Sequence, residues 1–273
     1  MKIQCFMPVF SEADILPCTL RHLHEQGCAV HVIDGWSTDG SYEIAQNAGV
    51  FSDLWRTFGT DNLITVERFP VGAPDAFNRH AQILERIEHL AEDSDADWCL
   101  YSDADEWRRA PLPRATLAEA VAAVDEAGYS AIDFRVFQFY CLDGGWTDGI
   151  AGPSEQRPDP EDFFRYYDEA DCISRIPNRK LWKNVGRVHL GGGGHEVTFP
   201  GMRIYPQKFV MKHYPFRTPA QAKARNAERR ARRVPEEVAK GWGTHLDQWP
   251  ADFDFCWDPA KLKFWKDTRS PLP

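Results

Sequence analysis

Three acidic residues follow a short apolar run before the middle of the chain. The segment reads Trp98-Cys99-Leu100-Tyr101-Ser102-Asp103-Ala104-Asp105-Glu106-Trp107. The apolar part predicts a buried strand, and carboxylates at the end of such a strand are costly unless a cation compensates them. A divalent metal ion, Mn²⁺ or Mg²⁺, bound together with a diphosphate would supply that charge. The spacing therefore predicts a metal and diphosphate site at Asp103 and Asp105.

The elements before this segment determine where the carboxylates lie. Residues 3–7 and 29–33 are apolar runs that predict buried strands, and a helix containing Ile15 and Leu20, with Ser11 as its cap, is expected between them. Alternation of strands and helices favours a parallel sheet, which binds ligands at the carboxyl ends of its strands. We therefore expect Asp34, which ends the second strand, to lie beside Asp103 and Asp105.

These segments together resemble glycosyltransferase family 2. The matching residues are Met7-Pro8-Val9-Phe10-Ser11-Glu12, His31-Val32-Ile33-Asp34-Gly35-Trp36-Ser37-Thr38-Asp39-Gly40-Ser41 and Asp103-Ala104-Asp105-Glu106-Trp107. The resemblance covers about residues 2–110 and departs from the family at Ser11, usually Asn, and at Gly35, often a second Asp. It implies the GT-A fold, an α/β architecture with a Rossmann-like, mostly parallel sheet flanked by helices and a less regular acceptor half.

The resemblance also implies roles for individual residues. Asp34 would hold the nucleoside of a UDP- or GDP-sugar, and Arg79 would contact the nucleotide. Asp103 would bridge the ribose and metal-bound water, whereas Asp105 would bind the metal directly. His213, in the strand-like run 208–215, matches the family's third metal ligand, with His195 and His189 as alternatives.

The resemblance further implies inversion at the sugar, which requires a carboxylate to deprotonate the acceptor hydroxyl. Glu196, Asp148 and Glu106 are the candidates, in that order. The acceptor is expected to be a saccharide or glycolipid of polysaccharide biosynthesis. Its sugar rings could stack on aromatic side chains of the second half, for which the candidates are Trp146, Tyr166 and Tyr167.

A basic helix is expected over residues 218–240, opened by Thr218-Pro219. Its first turns could neutralise the diphosphate through Lys223, with Arg225 as a further candidate. Its later arginines, which follow residue 228, could lie against an anionic membrane surface. A solvated helix face remains the alternative.

Composition limits the remaining possibilities. The net charge of −9 disfavours a nucleic-acid partner. No run approaches 18 apolar residues, and seven scattered cysteines fit free thiols in the cytoplasm. We expect a nucleotide-sugar half over 1–110, an acceptor half over 111–240 and a tail over 241–273.

Two other classes of protein stay open. One is a different metal-dependent nucleotide enzyme, such as a nucleotidyltransferase or phosphohydrolase, although the loop after the first strand lacks the glycine-rich, basic pattern of sugar nucleotidyltransferases. The other is a non-catalytic sugar-binding protein, against which the intact pair Asp103 and Asp105 argues.

Overall fold

The computed structural model describes residues 1–50, 64–74, 79–142, 146, 159–169 and 177–273. The strands in this part of the chain are β1 Ile3–Val9, β2 Cys28–Asp34, β3 Ile64–Arg68, β4 Trp98–Tyr101, β5 Glu106–Arg109, β6 Ala131–Ile132, β7 Phe134–Tyr140, β8 Tyr166–Asp168, β9 Leu181–Lys183, β10 His189–Gly191, β11 Glu196–Thr198, β12 Phe209–Phe216 and β13 Lys263–Phe264. The helices are α1 Leu16–Glu25, α2 Ser41–Val50, α3 His80–Glu92, α4 Leu117–Glu126, α5 Pro160–Phe163, α6 Pro219–Ala231 and α7 Pro235–Val238.

The main sheet has the strand order β3-β2-β1-β4-β9-β6. Its first four strands are parallel, and β9 is antiparallel to both β4 and β6. Side chains of β1 alternate between the two faces: Cys5 and Met7 join the core on one side, and Phe6 joins the core on the other. The predicted α/β class is confirmed, with a parallel N-terminal half covered on both faces.

A second sheet, with the order β13-β8-β7-β12-β5, packs beside the first. Strand β5 follows the acidic segment directly and pairs antiparallel with β12, so that Glu106 lies opposite His213. The amide of Tyr214 also donates to the Asp105 carbonyl oxygen at 2.9 Å. Because of this pairing, His213 lies near the end of β4, although it is more than 100 positions later in the chain.

Helix α1 begins later than the sequence predicts. Its N-cap is Ile15, whereas Ser11 has a φ of 57° and its amide donates to Ser37 Oγ at 3.0 Å. Ser11 therefore joins the loops after β1 and β2 instead of capping a helix. Helix α6 does begin as predicted, because Thr218 Oγ1 accepts from the Gln221 amide at 3.0 Å.

Residues 241–273, predicted as a tail, contribute to the core of the second sheet. Trp265 is fully buried against Phe137 and Phe139, and β13 pairs with β8. The buried Lys212 ammonium donates to the carbonyl oxygen of Thr268. Removal of this segment would expose aromatic surface of the second sheet.

Helix α1 buries a histidine against β5. His22 is 2% exposed, its ring stacks on Trp107 at 4.2 Å between centroids, and its Nε2 lies 2.9 Å from the Arg108 carbonyl oxygen. That carbonyl can only accept, so Nε2 carries the proton of the neutral ring. Burial lowers the pKa of His22 from its ordinary 6.5 to about 3.

We expect this histidine to weaken the fold in acid. Between pH 6.5 and about 3 the unfolded chain binds a proton at this position and the folded chain does not, so stability falls as the pH falls. Within this range, the titration of His22 changes the free energy of unfolding by about 1.4 kcal/mol per pH unit. His22→Gln should reduce the dependence of the unfolding free energy on pH by about that amount, measured by urea unfolding at several pH values. The exposed His189 provides the control, His189→Gln, and an unchanged slope in His22→Gln would contradict the assignment.

Candidate donor site at the carboxyl edge of the main sheet

The parallel strands β1, β2 and β4 end at one edge of the main sheet. Glu12 follows β1, Asp34 ends β2, and Asp103 follows β4. The loops after β1 and β2 are joined by hydrogen bonds, since the Glu12 amide donates to Ser41 Oγ at 3.0 Å and the Ala13 amide to Asp39 Oδ2 at 2.9 Å. The fold thus brings the predicted Asp34 and Asp103 to one edge, together with Glu12, for which the sequence predicted no role.

Asp34 is fully buried inside the turn that follows β2. Its Oδ2 accepts from the Ser37 amide at 3.1 Å and lies 3.8 Å from Arg68 Nε. Burial raises the pKa of this carboxyl, and the hydrogen bonds to Ser37 oppose the rise. Arg68 also stacks on Trp36 and Tyr42, at 4.9 and 4.1 Å from their ring centroids. Arg68, which the sequence interpretation missed, is the arginine nearest to Asp34 among the described residues, whereas Arg79 is half-buried at the N-cap of α3.

Asp103 is the partly exposed carboxylate of the acidic segment. Its side chain is 39% exposed, accepts from Tyr101 Oη at 3.2 Å and lies 3.4 Å from Lys180 Nζ. Burial acts to raise the pKa of Asp103, but the Lys180 cation and the more distant Arg229 outweigh it and lower the value to about 2. Asp103 is therefore a charged acceptor at the surface of the edge.

Glu106 is buried and fully engaged. Lys180 Nζ lies 2.9 Å from its Oε1, Arg108 donates to its Oε2, and the Asp103 amide donates to Oε2 at 3.1 Å. A carboxylate that is 2% exposed and held by two cations is poorly placed to accept a proton from a substrate. Instead, the hydrogen bond that Glu106 accepts from the Asp103 amide holds the backbone of Asp103 in place.

Asp105 points into a buried ionic cluster. Its Oδ2 lies 2.7 Å from Arg225 Nη2 and 3.5 Å from His213 Nε2, and its side chain is 1% exposed. Burial opposes ionisation, but Arg225 first and His213 second hold the pKa of Asp105 well below its usual range. His213 thus lies at the carboxylate where the sequence placed it, although β12 continues past it to Phe216.

Helix α6 and the segment just before it supply two cations of this cluster. Arg225 Nη2 also lies 3.0 Å from Glu12 Oε1, and the buried Arg217, just before the helix, pairs with Glu12 at 2.5 Å and with Asp14 at 2.7 Å. Lys223, the predicted diphosphate contact, is an exposed residue of the helix. The helix therefore faces the carboxylates through Arg225.

The three predicted metal ligands are of the right chemical kind but do not form an open metal site. Two carboxylates and an imidazole suit Mn²⁺ or Mg²⁺. In the described residues, however, no three acidic, histidine or cysteine side chains are grouped so that they could hold a metal ion. The Arg225 cation also lies 2.7 Å from the buried Oδ2 of Asp105, where it would repel a second cation. As arranged, these residues do not fit a resident metal ion.

The other candidate residues lie in different surroundings. Glu196 is partly exposed and pairs with Arg179, and Asp148 lies outside the described residues. His195 is half-buried, and burial followed by the Lys180 cation lowers its pKa to about 4. His189 is exposed and pairs with Glu88 at 3.1 Å.

The glycine run packs closely against β4. A Cβ at the buried Gly194, whose φ is +86°, would lie 2.3 Å from Tyr101 Cε1, and His80 Nε2 contacts the Gly193 carbonyl oxygen at 2.8 Å. The glycines thus permit a close approach of the backbone to the strand that precedes Asp103.

Two of the aromatic candidates for acceptor stacking belong to the core. Trp146 is fully buried against Phe164, and Tyr167 is 4% exposed among Phe137 and Trp265. Only Tyr166 is half-buried. The buried rings present no free face to a sugar.

Three of the four arginines over residues 229–233 are bound within the molecule, and Arg229 is the exception among the described residues. Arg230 and Arg233 pair with Asp247 at 3.3 and 3.0 Å, and the Arg232 guanidinium lies 3.6 Å from the Phe10 ring centroid. Within the part of the chain that is described, no helix is long and apolar enough to cross a membrane. These contacts leave the proposed membrane-facing cluster largely occupied.

Comparison with known proteins gave structural matches only. No family model matches the chain, and no curated protein matches it in sequence. Residues 1–349 of TarS from S. aureus are similar in structure, with 13% identity, 84% of this chain and 65% of that chain covered, and a TM-score of 0.43.

Two further structures are similar. Glucosyl-3-phosphoglycerate synthase from Mycobacterium tuberculosis, in complex with Mn²⁺, UDP and glucosyl-3-phosphoglycerate, shares 15% identity over 71% of this chain and 62% of that chain, with a TM-score of 0.35. A UDP-glucose pyrophosphorylase complexed with UDP-glucose shares 9% identity over 88% of this chain and 100% of that chain, with a TM-score of 0.38. The chain spans less than two thirds of the length of the first proteins that it matches. At these identities and TM-scores, neither substrate nor reaction follows from the likeness.

Proposed function

We propose that the protein transfers a sugar from a UDP- or GDP-sugar to a hydroxyl group of a saccharide or glycolipid acceptor. The observation that supports this most is the convergence of Asp34, Asp103 and Asp105 at the carboxyl edge of parallel strands, opposite the cationic face of α6. Ligands bind at this edge in open α/β sheets. A partly exposed, ionised Asp103 suits the hydroxyl groups of a ribose, and helix cations suit a diphosphate.

The proposed reaction is a displacement with inversion. The acceptor oxygen forms a bond to the anomeric carbon, and the bond from that carbon to the terminal phosphate oxygen breaks. The electron pair leaves with the nucleoside diphosphate, and the hydroxyl proton passes to a carboxylate. Glu196 and Asp148 remain the candidates for that base, because Glu106 is held by Lys180 and Arg108. A divalent metal is not a requirement of this proposal, since Arg225 holds Asp105.

A cytoplasmic location is part of the same proposal. Cys5, Cys28 and Cys99 are buried free thiols, and Cys256 is an exposed one. Free thiols are typical of a reducing compartment. A soluble nucleotide-sugar donor made in that compartment would reach the site directly.

The first test is stabilisation by the leaving group. UDP or GDP at about 100 times its dissociation constant should raise the unfolding free energy by about 2.7 kcal/mol, measured as a shift of the thermal midpoint by several degrees. The corresponding nucleoside without phosphate should give a much smaller shift. Release of nucleoside diphosphate from a panel of nucleotide sugars would then identify the donor. A protein that no nucleoside diphosphate stabilises, with or without Mn²⁺, would not be such a transferase.

A further inference from the structure

The Arg225 side chain is a cation fixed at the end of β4. Its Nη2 lies between Asp105 Oδ2 at 2.7 Å and Glu12 Oε1 at 3.0 Å, and its Nη1 donates to the Pro215 carbonyl oxygen at 3.2 Å. The side chain is 17% exposed. Two ion pairs and one hydrogen bond hold the guanidinium in place, so that an anion binding to it would cost little further side-chain entropy.

Arg229 lies one helical turn after Arg225 and is exposed. Among the described residues no carboxylate lies within 4.0 Å of its guanidinium, while Asp105, Asp103 and Glu12 act on it at longer range. The nearby Arg225 cation, more than any other group, lowers the pKa of Arg229. Residues four apart share a helix face, so two guanidinium groups, one of them without a close anionic partner, face the same carboxylates.

We propose that Arg225 and Arg229 bind the diphosphate of the donor and stabilise the charge that develops when it leaves. The proposal rests on the proposed function. Asp105, with Glu12, would orient Arg225 instead of binding a metal ion directly. Guanidinium groups match phosphate oxygens with paired hydrogen bonds, and fixed cations at a leaving group are an effective form of electrostatic stabilisation.

The charges of the cluster balance when Arg229 is counted, which gives five cations and five carboxylates. Arg217 and Arg225 face Glu12, Asp14 and Asp105, while Lys180 and Arg108 face Asp103 and Glu106. A metal ion at Asp105 Oδ2 would have to displace Arg225 and leave its cation next to the metal. An anion at the exposed end of the cluster needs no such rearrangement, because it meets Arg229 directly.

The inference predicts nucleoside diphosphate binding that does not require a divalent metal. Calorimetry with UDP and with GDP would be carried out on the full chain, once with EDTA and once with Mn²⁺. The wild-type dissociation constant should differ by no more than about threefold between the two conditions. Arg229→Gln should weaken binding by about tenfold or more in both, as expected for loss of a hydrogen bond to a charged group. Lys240→Gln, which removes an exposed cation elsewhere, should change it by less than about twofold.

Each other outcome has a defined meaning. Binding that appears only with Mn²⁺, or that is unchanged in Arg229→Gln, would overturn the inference while leaving the proposed function in place. Lys223→Gln weakening binding more than Arg229→Gln would also overturn it. If neither UDP nor GDP binds in EDTA or in Mn²⁺, the inference and the proposed function are both overturned. Arg225→Lys serves as a second variant, because Arg225→Gln would remove a buried charge and can unfold the cluster. The lysine keeps a positive charge near Asp105 but lacks the paired N–H groups of the guanidinium, so it should weaken nucleoside diphosphate binding.

Discussion

Replacement of Arg217 by alanine is expected to destabilise the protein by about 3–5 kcal/mol. Its side chain is fully buried and forms ion pairs with Glu12 at 2.5 Å and with Asp14 at 2.7 Å. Removal of the guanidinium would leave the buried Glu12 with Arg225 as its remaining cation and would take a buried cation away from Asp14. The penalty for under-compensated buried charge exceeds the worth of the pair itself. Urea unfolding followed by circular dichroism measures the change.

Arg230→Ala is the matched control for Arg217→Ala. Arg230 lies in α6, the helix that follows Arg217, and it also pairs with a carboxylate. Its partner is Asp247 at 3.3 Å, and both side chains are partly exposed. Exposed pairs contribute about 0–1 kcal/mol. A loss for Arg217→Ala no larger than that for Arg230→Ala would show that the buried cluster does not hold the loop after β1 to α6.

Asp103→Asn is expected to lower kcat/KM for the donor sugar by about 10- to 100-fold. The pKa of Asp103 is lowered to about 2, so the carboxylate is charged throughout the neutral range and the substitution removes a charged hydrogen-bond acceptor. The side chain is 39% exposed at the carboxyl edge, where the ribose is proposed to bind. Steady-state kinetics at fixed acceptor concentration measures the effect.

The control substitution is Asp95→Asn, in the loop before β4. Asp95 is 84% exposed and pairs with Lys2 at the far end of the strand, so its replacement should leave kcat/KM within about twofold of wild type. Equal kinetics for Asp103→Asn and wild type would place the donor elsewhere. Both variants should remain folded under the conditions of the assay, which urea unfolding verifies.

The N-terminal half could be predicted because its signals are local. The runs over 3–7, 29–33 and 98–100 are largely buried strands, and each is followed by a polar turn whose position the sequence shows. Since parallel strands end at one edge, the clustering of Asp34 and Asp103 followed from their order alone. The start of α6 after Thr218 was equally local.

The neighbours of the acidic residues depend on long-range pairing. His213 reaches Asp105 because β12 pairs with β5, and Arg225 reaches Asp105 from a helix 120 positions later in the chain. The sequence marked Lys223 and Arg225 alike as basic helix residues, and only the docking of α6 on the loop after β1 distinguishes them. The sequence contains one sign of the roles of Lys180 and Arg108. Each is a charged residue within or beside a strand-like run, and a charged side chain in such a place indicates a buried partner.

The sequence by itself determined that this chain forms an α/β sheet whose carboxyl edge carries Asp34, Asp103 and Asp105. Periodicity and strand order carry that information along the chain, within a few residues of each acid. The tertiary structure alone decided that Glu106 is enclosed by Lys180 and Arg108, and that Asp105 is held by Arg225. The physical reason is that a buried charge must find its counter-ion in three dimensions, and the counter-ions here come from β5, from the residue before β9 and from α6.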